Sequence, residues 1–216
     1  MRKKGDRLLF CWENTELVPL IQDHKSPLTS SSIIPFLKIK IEFDKLLSSN
    51  SSMSSKSEKK VYEVLDKLGI AYTKLEHPAV FTVEQAEKHW GSITGAHCKN
   101  LFLRNKKGNR HYLAILESSK SADLKALTKQ LGEDRLSFAS SERLMRYLGL
   151  EPGAVSPFGL INDSQKEVQV VVDQDLKNAE RINFHPNVNT ATVGIDFRDF
   201  EKFLAWCENS IRYLQL

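Results

Sequence analysis

The chain has 216 residues, enough for one domain or for one domain with an appendage. Hydrophobic residues make up 41% and charged residues 27%, the balance of a soluble globular protein, and no apolar run reaches membrane-span length. The net charge of +4 permits a nucleic-acid partner without demanding one. The cysteines Cys11, Cys98 and Cys207 are odd in number and widely spaced. They form neither a disulfide framework nor a zinc spacing, and a reducing compartment such as the cytoplasm fits them best.

Residues 1–55 differ in texture from the rest. Ser48–Ser55 is a low-complexity, serine-rich linker, and the segment before it has short apolar scraps without a sustained period. The expected division is an extension over 1–55, disordered or upstream of the true start, and a folded domain over 56–216. Met53 opens a polar stretch that leads into a helix, and it is the expected natural start.

From Lys56 onward the periodicity is regular. Val61, Val64, Leu65 and Leu68 form one helical face, stopped by Gly69. A short strand over Ala71–Leu75 follows, then a helix from Thr82 to about Trp90, with Thr82 and Gln85 in capping-box spacing. Asn100–Arg104 and His111–Leu116 read as a hairpin around Asn105–Asn109. Leu124, Leu127 and Leu131 mark a helix capped by Ser121 or Asp123, and Leu136–Ala139 a strand. Ser140–Gly149 is a capped helix ending at glycine. The apolar runs Phe158–Ile161 and Val168–Val172 come next. The second is an unbroken β-branched stretch that suits a doubly buried strand. Strands over Arg181–Phe184 and Ala191–Ile195 precede a C-terminal helix with Phe197, Phe200, Phe203, Leu204 and Cys207 inward and Asp196 as its N-cap. Short strands interleaved irregularly with helices predict an α/β or mixed α+β domain.

Three places put polar or turn-forming residues at the ends of buried-looking stretches. They are Lys99-Asn100 at the mouth of a strand, Gly153–Gly159, and Phe184–Thr190. Their convergence would make a pocket. No G-x-S-x-G, Walker A, G-x-G-x-x-G or H-E-x-x-H motif occurs, and the six histidines do not fall at metal-ligand spacing. What remains is catalysis by positioning, hydrogen bonding and one or two cations. Lys99 could hold a phosphate or an oxyanion, whereas any single lysine is more often a solvated one. Singly, Asn100, His185, Asn189 and Thr190 read as turn or edge residues.

Together, His97-Cys-Lys-Asn-Leu-Phe-Leu, Gly153-Ala-Val-Ser-Pro-Phe-Gly-Leu and Phe184-His-Pro-Asn-Val-Asn-Thr-Ala-Thr resemble the YbaK/ProX family of trans-acting aminoacyl-tRNA deacylases, as does His77-Pro-Ala-Val-Phe-Thr. The nearest branch is the ProX-type prolyl-tRNA editing proteins, freestanding relatives of the insertion domain of bacterial prolyl-tRNA synthetase. The resemblance spans about residues 56–210. It implies a mixed β-sheet flanked by helices, and hydrolysis of the ester between a wrong amino acid and the tRNA 3′ end without metal or other cofactor. It implies Lys99 as the residue that holds the phosphate region of the terminal adenosine, and His185 beside the ester. The backbone of the Gly153–Pro157 loop would position substrate and water. Asn100, Ser156, Pro157, Phe184, Asn189 and Thr190 are the implied substrate-binding residues. The spelling Lys-Asn favours alanyl-tRNA(Pro) over cysteinyl-tRNA(Pro). The implied partners are the 3′ end of mischarged tRNA(Pro) and prolyl-tRNA synthetase, with neither a membrane nor DNA. A non-catalytic tRNA- or synthetase-binding module stays open as the other class, and a redox protein using Cys98 is a third reading.

Overall fold

The computed structural model describes residues 10–13, 16–19, 56–80, 85, 89, 91 and 93–216. The chain divides into two compact units, Met1–Ser48 and Ser49–Leu216. In the first, strands β1 (Phe10–Glu13) and β2 (Glu16–Pro19) pair antiparallel. The expected extension over 1–55 and start at Met53 otherwise lie outside the described residues, as does most of the helix expected over 82–90.

In the second unit, an eight-stranded mixed sheet is built from β3 (Tyr72–Glu76), β4 (Ala96–Asn105), β5 (His111–Glu117), β6 (Leu136–Phe138), β7 (Val168–Asp173), β8 (Arg181–Phe184), β9 (Ala191–Asp196) and β10 (Ile211–Leu214). Seven strands run in the order β10-β7-β5-β4-β8-β9-β3, and β6 pairs with β4 off this path. β7 lies parallel to both β5 and β10, which explains its unbroken valines: Val170 and Val172 face one core and Val171 the other.

Helices α1 (residues 56–67), α2 (Leu124–Leu131), α3 (Ser141–Leu148) and α4 (Phe197–Cys207) cover the sheet. Helices α1, α3 and α4 close the larger core on one face, through Val61 and Leu65, Leu144 and Leu148, and Phe200, Phe203 and Leu204. Helix α2 closes a smaller core on the other face, with Leu127 and Leu131 against Leu103, Tyr112 and Leu136. Asp123, rather than Ser121, caps α2 by accepting from the amides of Lys125 and Ala126. Ser140 caps α3, which ends at left-handed Gly149 as its sequence predicts. Asp196 sits at the N-cap position of α4 but makes no capping bond. Its carboxylate is instead drawn 2.7 Å from the Arg181 guanidinium on the neighbouring strand.

One apolar run is given its form, and one expectation is corrected. Phe158–Ile161 belongs to a 3₁₀ turn over Pro157–Asn162, begun by the Ser156 hydroxyl accepting from the Phe158 amide at 3.2 Å. Lys99-Asn100 does not stand at the mouth of a strand but in the middle of one, because β4 begins at Ala96. The four extra residues are recruited by long-range pairing: Ala96 and His97 form a parallel ladder with Ile182 and Asn183 of β8. Farther along the same edge, Leu103–Asn105 pair with β6. Between these two ladders, residues 98–101 have β5 on one side and, among the described residues, no strand on the other. The sheet is notched there, and the notch organises the site.

Candidate active site at the notch of strand β4

Strand alternation sorts the residues around the notch. Ala96, Cys98 and Phe102 turn toward the larger core, so Asn100 shares their face; Leu101 and Leu103 turn toward the smaller one, and Lys99 and His97 share that face. On β8, Ile182 and Phe184 enter the larger core, which leaves Asn183 and His185 on the face of Lys99. Extending the β4–β8 register, Ala96 opposite Ile182, sets His185 across from Lys99, an offset of 86 in both pairs. On β9, Val193 and Ile195 are core residues, and Thr192 alternates onto the same polar face.

Lys99 is half-buried, and its ammonium donates to the carbonyls of Ser118, at 3.0 Å, and Lys120. Among the described residues no carboxylate lies within ion-pairing reach of it. The nearby Lys120 differs: its ammonium is neutralised by the fully buried Asp173 at 2.5 Å and by Asp175 at 2.6 Å. Lys99 is thus a cation steadied by carbonyl dipoles rather than cancelled by an anion. That arrangement suits an anionic or charge-developing ligand.

His185 donates from Nδ1 to the Ala191 carbonyl at 2.8 Å. That bond leaves Nε2 as the acceptor nitrogen. Burial, with a smaller contribution from His77, holds its pKa below the ordinary histidine value, so the ring is neutral at pH 7. His77, which carries the resemblance as the head of the His77-Pro-Ala-Val-Phe-Thr motif, also belongs to the candidate site, a role the sequence did not give it. Its Nδ1 donates to the Pro78 carbonyl, and its Nε2 accepts from the Thr192 hydroxyl at 3.0 Å. Its ring lies 5.8 Å from that of His185. The backbone of the same turn grips the His185 loop: the His77 amide donates to the Thr190 carbonyl and the Val80 amide to the Asn189 carbonyl, both at 3.0 Å. The usable signal was a threonine recurring in an otherwise buried strand. Nothing local announces Ser118 and Lys120, whose carbonyls long-range pairing brings to Lys99, or Asp173, which neutralises Lys120.

The Gly153–Pro157 loop packs on the opposite side of β4. The Asn100 amide donates to the Val155 carbonyl at 3.0 Å, while its Oδ1 is buried without a partner among the described residues. Gly153 adopts φ +90°, a backbone that a side chain would strain. A cavity of about 210 Å³ opens here between Asn100, Leu101, Phe138 and Gly153. The expected site residues therefore do not form one cluster. Lys99 and His185 share a face, whereas Asn100 and Gly153 meet at the edge of the notch. Ser156 is fully buried as the cap of the 3₁₀ turn, and Pro157 is buried at its start. Phe184 packs in the core, 5.9 Å from the Phe158 ring and 5.0 Å from that of Phe200, and offers no ring face to a ligand. These three shape the site from behind. Asn189 and Thr190 join it through their carbonyls.

Burial pushes the Cys98 thiol up, which leaves it protonated and unsuited to nucleophilic or redox work. Among the described residues no group of three or more His, Cys, Asp or Glu is arranged to hold a metal, and no helix is long and apolar enough to cross a membrane.

The aminoacyl-tRNA editing domain profile matches residues 77–203. The prolyl-tRNA editing protein ProX of Acetoanaerobium sticklandii is 42% identical over 164 residues, covering 76% of this chain and all of that protein. The prolyl-tRNA synthetase associated domain-containing protein 1 of Danio rerio is 36% identical over 148 residues, 68% of this chain and 80% of that one. A crystal structure described as that of a candidate trans-editing enzyme for prolyl-tRNA synthetase superimposes with a TM-score of 0.57 at 21% identity, over 74% of this chain and 97% of that one. At that identity the superposition speaks for the fold.

Proposed function

Since the chain belongs to the aminoacyl-tRNA editing domain family, we propose that it is a trans-acting deacylase that hydrolyses mischarged tRNA(Pro), with alanyl-tRNA(Pro) as its substrate. One observation carries the reading: the 42% identity to a prolyl-tRNA editing protein extends over that protein's whole length. The geometry supplies the chemistry. Lys99, uncancelled by any carboxylate among the described residues, binds the phosphate region of the tRNA 3′ end and sets its register. The neutral His185 presents Nε2 on the same face, where it orients the attacking water by accepting its hydrogen bond. The Gly153 loop, braced by Asn100, helps to position substrate and water at the notch. As water adds to the ester carbonyl, negative charge grows on its oxygen, and fixed donors in a partly dry site stabilise it. With the Cys98 thiol protonated, direct attack by water is the route this site favours. Prolyl-tRNA synthetase, whose product the enzyme would correct, is the proposed protein partner.

Incubation with Ala-, Cys- and Pro-tRNA(Pro), following loss of the ester, tests the reading. Rapid loss from Ala-tRNA(Pro) alone supports it. Preferential loss from Cys-tRNA(Pro) moves the substrate to cysteine, and binding without ester loss makes the protein a binding module.

A further inference from the structure

The geometry points to Phe138 as the surface on which the base of the 3′-terminal nucleotide stacks. This inference rests on the deacylase reading and extends it from the ester to the nucleoside that carries it. Among the described residues Phe138 is the most exposed of the large apolar side chains, at 62%, although it sits in a strand paired to the centre of the sheet. Folding alone gives no reason to hold a phenyl ring in water there. The rest of β6 behaves as expected, with Leu136 buried in the smaller core.

The ring's position gives the exposure a use. Phe138 pairs with Leu103 across the β4–β6 ladder, and directly paired residues share a face. Alternation back along β4 from Leu103 passes Leu101 and reaches Lys99 on that same face. The aromatic ring and the uncancelled ammonium thus mark two ends of a track across one strand, about 13 Å long at the β rise. Leu101 lies half-buried between them. Phe138 and Leu101 also wall the cavity of about 210 Å³ that reaches Gly153 and the Asn100 side chain. That space is below the range of drug-sized pockets and suits one flat group. An unpaired nucleotide has the matching polarity, with its phosphate toward Lys99 and its base toward Phe138. Single-stranded ends are characteristically held in this way, by cations on the backbone and aromatic rings under the bases.

The test is an NMR titration of wild type, Phe138→Ala and Phe138→Trp with two ligands: the trinucleotide CCA, and the same molecule lacking its terminal base. Amide spectra confirm the fold of each variant, which an exposed side chain should not disturb. Wild type is expected to prefer CCA roughly tenfold, a modest stacking contribution. Phe138→Ala should lose the preference and Phe138→Trp keep it. An equal affinity of wild type for both ligands, no binding of either, or a preference that survives Phe138→Ala overturns the inference. The readout is independent of turnover. A protein that deacylates without this preference refutes only the stacking surface. One that keeps the preference but cleaves no ester refutes only the enzymatic reading.

Discussion

Replacing Lys99 by alanine should separate activity from stability. In the folded protein the ammonium donates to two backbone carbonyls, those of Ser118 and Lys120, and pairs with no carboxylate among the described residues. Its loss strands no buried charge. Both carbonyls belong to the segment after β5, with Ser118 half-buried and Lys120 22% exposed at its side chain, so water can replace the lost donor. A charge-assisted hydrogen bond is worth about 1.5–3 kcal/mol. With water substituting, the net cost should be about 1 kcal/mol, or roughly 2–4 °C in Tm for a domain of this size. Activity should fall much further. Without the contact that sets the register of the 3′ end, the ester is misplaced, and a misplacement of about 1 Å costs roughly 10²-fold in turnover. Lys99→Arg keeps the charge but replaces a compact ammonium by a planar fork that does not fit between two converging carbonyls, and it should recover only part of the rate. The assay is single-turnover deacylation of Ala-tRNA(Pro), with a thermal melt of each variant. A folded Lys99→Ala protein that retains turnover within about tenfold of wild type would falsify the assignment.

Two further outcomes follow from the geometry. His111 is buried, with its Nε2 2.9 Å from the Arg143 guanidinium, and burial together with Arg143, Arg146 and Arg104 holds its pKa down to about 4. The unfolded imidazole takes up a proton near pH 6.5, so this contribution to stability is complete above that pH and drains away as pH falls toward 4. The slope can reach about 1.4 kcal/mol per pH unit. Urea unfolding between pH 7 and 5 should show it in wild type and lose it in His111→Gln, and equal slopes in the two proteins refute the origin. At φ +90°, Gly153→Ala should cost about 1–2 kcal/mol by calorimetry and slow deacylation as the loop shifts from Asn100. Unchanged melting and turnover would show that the loop tolerates a side chain there.

Most of the architecture was legible because it is periodic. The apolar faces of α1, α2 and α4, the caps at Asp123 and Ser140 and the valine run of β7 each follow from spacing and residue type. What escaped depends on partners distant in sequence. The first residues of β4 are extended because β8, about 86 positions later, accepts them. Strand β10 over Ile211–Leu214 is a modest apolar tetrapeptide until β7 offers it a parallel edge. In the site, Lys99, Asn100, Gly153 and His185 were visible as polar interruptions. Their division between two faces was not, because the reading began the strand at Asn100. The resemblance made Phe184 a substrate-binding residue, but neighbours on a strand point oppositely, and Phe184 faces the core while His185 takes the other face.

Lys99 and Asn100 are covalent neighbours with separate tasks, an ammonium on one side of the sheet and an amide bracing a loop on the other. Their tasks are kept apart by phase alone. If β4 slid by a single residue, the charge would enter the larger core and the amide would take its place on the polar face. The three ladders that grip β4, to β5 along its length and to β8 and β6 at its two ends, therefore do more than add hydrogen bonds. They leave one edge of the short stretch proposed to meet the ligand open and clamp it from both ends. The chain can vary in length through the loops around this strand, whereas one residue gained or lost inside it would exchange site for core.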